Sequence, residues 1–208
     1  MDLKIKAEKA IKILEKEYPE AVCSLRYEAP FQLLVATRLA AQCTDARVNI
    51  VTPALFKKYP DISSMAAAEI SDIEKYIKSC GLYKTKARDI KLCAEMLRDS
   101  FNCRVPDNME DLLKLPGIGR KTANLVLGDA FGKSAVVVDT HCIRITKRLG
   151  FHNIKDAVKI ERVLKDVLPA EKSNDFCHRL VLHGRAVCTA RNPKCEGCSL
   201  KDICDKNI

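Results

Sequence analysis

Leu115-Pro116-Gly117-Ile118-Gly119-Arg120-Lys121-Thr122-Ala123 decides how this chain is read. Two of the eight glycines stand two residues apart between helix-like segments, and a lysine follows in the first turn of the next helix. Gly117 and Gly119 predict a turn with positive φ and a close backbone approach to another molecule. The N–H groups at the following helix start have no intrahelical partner and suit a phosphate. An amine beside such a seat is either a clamp or a catalyst. An ordinary lysine is neutral in only about one molecule in 2,500 at pH 7, so making it nucleophilic costs roughly 4–5 kcal/mol. Burial and the positive end of a helix dipole both lower that cost. Lys121 is placed where the dipole acts in this direction, and an amine there can attack a sugar anomeric carbon to form a Schiff base.

Around this turn the periodicity is helical throughout. It predicts helices over Leu3–Glu17, Pro30–Ala41, Asp45–Tyr59, Ala67–Ser79, Thr85–Ser100, Asn108–Lys114 and Arg120–Phe131, with breaks at Pro60, Gly81 and Pro106 and a stop at Gly132. Ala135–Val138 is the one strong β-branched run; four residues without a partner strand read as a buried extended connector. Asp139 then serves as N-cap for a helix to Leu149, and two more follow at 155–167 and 173–187. The chain is all-α. Asp139 is also a carboxylate fixed at a helix start, able to act as a base or as an electrostatic partner to an amine or oxocarbenium ion.

With 208 residues, 47% hydrophobic and 30% charged, the chain can bury one large or two small cores. Its net charge of +9 favours a polyanionic partner. The N-terminus carries no apolar signal segment and no run suits a membrane span, so the expected location is the cytoplasm.

Cys188, Cys195, Cys198 and Cys204 are spaced C-x6-C-x2-C-x5-C, while the other seven of the eleven cysteines stand singly and read as reduced, mostly buried side chains. Four thiolates this close need a cation or cluster to offset their repulsion. Zinc folds usually pair two C-x2-C elements and only one is present, so a compact loop around a 4Fe–4S cluster is favoured over structural zinc. Arg191 and Lys194 lie inside that loop, either as solvated charges or as cations offered to phosphates. His141, His178 and His183 form no metal-ligand pattern and read as structural or DNA-facing.

The hairpin, the Val138-Asp139-Thr140-His141 stretch and the four-cysteine loop, in that order, resemble the endonuclease III family of helix-hairpin-helix DNA glycosylases. The resemblance extends through Leu39–Asp45, Gly81-Leu82-Tyr83 and Leu182-His183-Gly184-Arg185. It implies two helical domains with a DNA-binding cleft between them. One is a six-helix barrel at 22–133 with the helix-hairpin-helix at about 108–130; the other is a cluster domain from 1–21 and 134–208. It further implies a monomer that removes oxidised or ring-saturated pyrimidines from double-stranded DNA and cleaves the resulting abasic site. In that scheme Lys121 is the Schiff-base nucleophile and Asp139 the catalytic carboxylate. Gln42 and Leu82 enter the duplex, with Gly117, Gly119, Arg120, Thr122, His141, Arg191 and Lys194 as further DNA contacts. The four clustered cysteines hold a 4Fe–4S cluster. Cys43 and Cys142 depart from the family pattern, the first in the loop that enters the duplex. A thymine-mismatch glycosylase of the same fold, a non-catalytic DNA-binding module and an iron–sulfur electron carrier remain the alternatives.

Overall fold

The computed structural model describes residues 2–206, and among these the regular structure is entirely helical. The backbone divides into two compact units, Cys23–Gly132 and the discontinuous pair Met1–Val22 with Lys133–Ile208.

The first unit is arranged around α2 (Pro30–Ala40). This helix buries Phe31, Leu33, Leu34, Val35, Ala36, Thr37 and Leu39, too many for one stripe, as a helix enclosed on several sides must. It packs against α3 (Asp45–Lys58), α6 (Tyr83–Ser100) and α8 (Arg120–Phe131). Two short helices, α4 (Ile62–Ala66) and α5 (Ile70–Ile77), lie against α6, and α7 (Met109–Leu112) lies against α8.

Most helix boundaries follow the sequence pattern, with two informative differences. The helix expected over 67–79 is the shorter α5, and α4 precedes it where no helix was expected, because Asp61 and Ser64 form a capping box that starts a separate turn. The break expected at Gly81 falls one residue later. Leu82 takes the left-handed conformation (φ 58°), and its carbonyl accepts the Lys86 N–H, so α6 begins at Tyr83. Gly132 (φ 61°) ends α8 as a left-handed cap.

In the second unit Ala135–Val138 runs extended and buried, without pairing to a strand among the described residues, into α9 (Thr140–Arg148). The helices α1 (Leu3–Glu17) and α9 pack on α11 (Ser173–Ala186), and α10 (Ala157–Val167) contacts α1. A 3-10 turn at Ala170–Lys172 leads into α11. The core joins Leu14, Ile145, Ile160, Leu164, Phe176 and Leu180, each at most 1% exposed. Deleting such a side chain typically costs 2–5 kcal/mol, since the packed surroundings close the cavity only in part.

The two hairpin glycines differ, and the structure corrects the expectation that both take positive φ. Gly117 has φ +74°, and a Cβ placed there would stand 2.7 Å from Arg38 Nε and 2.9 Å from Asp89 Cβ. Gly119 has φ −101° and ψ 174°, extended backbone open to any residue, and a Cβ there would meet nothing within 4 Å. Gly117→Ala is therefore expected to destabilise the protein by about 1–3 kcal/mol. Gly119→Ala should stay within about 0.5 kcal/mol of the parent. Urea unfolding midpoints of the two variants check this contrast, and equal midpoints would refute it.

Candidate functional site

The hairpin is built locally and braced from a distance. Ile118 N–H closes the turn onto Leu115 O, and Leu115 and Ile118 are buried while both glycines are exposed. Gly119 is the N-cap of α8 and supplies no side-chain cap, so the helix opens with its dipole uncapped by a side chain. Lys121 is exposed in this first turn, next to half-buried Arg120 and Thr122. Behind the turn, Arg38 on α2 donates from Nε to Asp89 Oδ2 on α6 at 3.0 Å. Both side chains of this ion pair are mostly buried, at 17% and 14% exposure. Gly117 rests directly on it, so the hairpin backbone has one seat.

Gln42 and Leu82 also belong to this unit, at the adjoining ends of α2 and α6. Both are exposed, and both have positive φ (54° and 58°) without being glycine. Such conformations cost of order 1–3 kcal/mol each and persist only where the surroundings over-determine them. The two loops are neighbours: a Cβ on Gly81 would lie 3.5 Å from Gln42 O. Leu82 is 59% exposed, which the hydrophobic effect does not favour in the free protein.

Asp139 lies on the other unit and performs the N-cap role read from its position, with Oδ1 accepting the Cys142 N–H at 2.7 Å. It is half-buried. His141 is half-buried too, with Nδ1 3.1 Å from Arg144 Nη2. Its ring leaves no room for a side chain at Gly184, whose Cβ would come within 2.3 Å of Nδ1.

Cys188, Cys195, Cys198 and Cys204 line one small cavity of about 30 Å³ together with Arg148, Pro193 and Lys194. Among the described residues no three Cys, His, Asp or Glu side chains converge on a single-ion site. Four soft thiols lining one cavity are the donor set of an iron–sulfur cluster. Burial pushes the Cys198 and Cys204 thiols up, and charge on the neighbouring cysteines pushes the same way. Ionising the set therefore calls for the positive charge that a metal cluster brings. Arg191 and Lys194 are exposed on the loop, which Lys194 N–H closes onto Val187 O.

The supports of this loop were not read from the sequence. Arg148, 7% exposed, donates to Cys188 Sγ at 3.2 Å, to Thr189 O at 2.7 Å and to Ala190 O at 3.1 Å. Arg144 donates to Cys188 O and Gly184 O, tying α9 to the end of α11. Buried Lys6 donates to Leu149 O at 2.7 Å and pairs with Asp205, next to the last cysteine. A signal existed for Arg148: helical spacing puts it on the buried face of α9 with Cys142 and Ile145, where a charge needs a reason.

Residues 35–170 match the HhH-GPD superfamily of base excision DNA repair proteins, and residues 188–204 match the iron–sulfur binding domain of endonuclease III. The chain is 48% identical to endonuclease III of Synechocystis sp., over 97% of this chain and 92% of that protein. It is 39% identical to endonuclease III of Escherichia coli strain K12, over 92% and 91%. A trapped endonuclease III–DNA covalent intermediate superposes with a TM-score of 0.92 at 41% identity, over 99% and 97% of the two chains. A thermostable thymine-DNA glycosylase superposes with a TM-score of 0.89 at 25% identity, over 97% and 96%. The all-helical fold, the hairpin with its lysine and the iron–sulfur loop thus place this chain in the endonuclease III family of the HhH-GPD superfamily, DNA glycosylases with abasic-site lyase activity that work in base excision repair.

Proposed function

We propose that this chain excises oxidised or ring-saturated pyrimidines from double-stranded DNA and then cleaves the strand at the abasic site, acting as a monomer at the nucleoid. The observation that carries the reading is the uncapped start of α8, which presents Lys121 beside open space at Gly119. Neither its φ nor its surroundings require glycine at 119, and the open space there leaves the first amides of α8 accessible to a partner from outside. A DNA phosphate seated on the α8 amides is that partner.

In this reading the damaged nucleotide leaves the stack before chemistry, and a ring-saturated base leaves at lower cost because its stacking is weakened. Exposed Gln42 and Leu82 fill the vacated space. Arg120, Thr122, His141, Arg191 and Lys194 contribute to holding the backbone. The Lys121 amine attacks C1′ and the base departs with a proton; the C1′–O4′ bond then opens, O4′ takes up a proton, and the protonated imine left at C1′ acidifies the C2′ hydrogens. Loss of one of these expels the 3′ phosphate by β-elimination. Asp139 assists at the anomeric centre, where positive charge develops. Lys121 is exposed, so bound DNA is what excludes water from it. Cys188, Cys195, Cys198 and Cys204 hold the 4Fe–4S cluster, which fixes the loop carrying Arg191 and Lys194.

The covalent endonuclease III–DNA intermediate of the 41% identical relative supports a covalent lysine mechanism. Similarity to a thymine-DNA glycosylase keeps a thymine-mismatch substrate as the second reading. A panel of duplexes carrying thymine glycol, uracil or guanine-opposed thymine separates the two. Fastest excision from the thymine glycol duplex is expected, and preference for mismatched thymine would establish the second reading.

Lys121→Gln is expected to abolish borohydride trapping on abasic DNA and to retain most DNA affinity. An equal collapse of affinity would return the lysine to a clamp and the protein to a binding module. Replacing Arg191 and Lys194 together by alanine should weaken binding across sequences. The slope of log K against log salt should fall by about 1.8, the counterion release of two phosphate contacts. An unchanged slope would show that neither residue meets phosphate. The purified protein should carry four irons with the broad visible absorption of an iron–sulfur cluster, and one zinc in their place would overturn the cofactor assignment.

A further inference from the structure

Helix α6 buries Lys86, Ala87, Ile90, Cys93, Ala94 and Leu97 along one stripe, and Lys86 occupies the first slot of an otherwise apolar series. It is fully buried at 0% exposure. The ammonium donates to Leu39 O at 2.8 Å, its one hydrogen bond among the described residues. Burial lowers its pKa, with charge on Cys43 and Cys80 acting in the opposite direction. A buried cation with a single partner is a poor way to stabilise a helix pair, and an apolar residue of the same length would pack there at lower cost.

The location of the bond accounts for it. Leu39 is in the last turn of α2, where carbonyls lack intrahelical donors and the dipole is negative, so a cation is well placed. Three residues on, Gln42 leaves with φ 54°. At the other end of the bond, Lys86 is in the first turn of α6, and its own N–H donates to the carbonyl of Leu82, the residue with φ 58°. One side chain thus joins the last turn before Gln42 to the first turn after Leu82. We propose that Lys86 is a positioning residue for base extrusion: its buried bond to Leu39 O fixes the spacing of the Gln42 and Leu82 loops, so that both enter the duplex in register. This rests on the reading of Gln42 and Leu82 as duplex-entering residues. Lys86 touches neither DNA nor the reacting atoms; it acts through the two loops.

The test uses the iron-loaded protein with Lys86→Met, which keeps length and removes the donor. Retained visible absorption and an unfolding midpoint at or above that of the parent establish that the variant is folded. Single-turnover excision of thymine glycol from duplex DNA is expected to fall at least about tenfold. Borohydride trapping on single-stranded abasic DNA, which needs no extrusion, should stay within about twofold. The fluorescence rise of 2-aminopurine opposite the lesion, which reports loop entry, should be lost. Equal loss on both substrates, or no loss on the duplex, overturns the proposal. Should the methionine variant fail to fold, Lys86→Arg, which keeps the charge but whose bulkier guanidinium alters the spacing to Leu39 O, is read the same way. Duplex excision is then expected to fall at least about threefold more than single-strand trapping, and equal change on both substrates, or none on the duplex, overturns the proposal. A Gln42→Ala/Leu82→Ala variant separates the two levels of the argument. If it excises from the duplex at the parental rate, the duplex-entry reading fails and the positioning role fails with it. If it is impaired and Lys86→Met is not, only the positioning role fails.

Discussion

The seam between α2 and α6 is the constraint on which the hairpin unit depends. Two polar ties cross it, Arg38 with Asp89, mostly buried, and fully buried Lys86 with the Leu39 carbonyl, from adjacent residues on α2 to residues three apart on α6. The first is the platform beneath Gly117, and the second lies between the two residues held in left-handed backbone, Gln42 and Leu82. Apolar contacts alone tolerate small slips of one helix on another. A charged group sealed from water does not, because losing its partner costs more than the bond contributes. Hairpin and loops are accordingly held by the same pair of helices, and the strain at Gln42 and Leu82 is borne by a rigid support.

The cluster unit solves a similar problem with cations placed against carbonyls and sulfur. Arg148 and Arg144 gather the backbone around Cys188, and Lys6 links α1 to Leu149 O and Asp205 beyond the last cysteine. The short loop has little core of its own, and Leu200 is its one apolar residue at 1% exposure. Its shape depends on these bonds and on the metal cluster together. A positively charged surround also suits thiolates, whose mutual repulsion would otherwise open the loop.

Much of the local structure around the candidate site was legible in the sequence because its signals are local. Helix periods, the Asp139 cap, the Gly132 stop, the glycine turn with its lysine and the four-cysteine spacing each involve residues within a few positions of one another. The reading of Gly119 as a second positive-φ position failed for a physical reason. A glycine is informative about either conformation or close approach, and only coordinates separate the two. The α4 helix was missed because a five-residue turn held by an Asp61–Ser64 capping box has no period to detect.

What the sequence by itself determined is an all-helical chain carrying a glycine hairpin, an amine at a helix start and a thiol loop for iron. Local hydrogen bonding and side-chain pattern suffice for those. The tertiary structure decided that Leu82, a residue disfavoured there, takes the left-handed turn in place of neighbouring Gly81. It also decided that Arg38 and Asp89, 51 residues apart, form the seat of the hairpin, and that Lys86 spends its charge on a carbonyl 47 residues away. Those choices depend on which buried groups meet across long stretches of chain, and no local pattern encodes that.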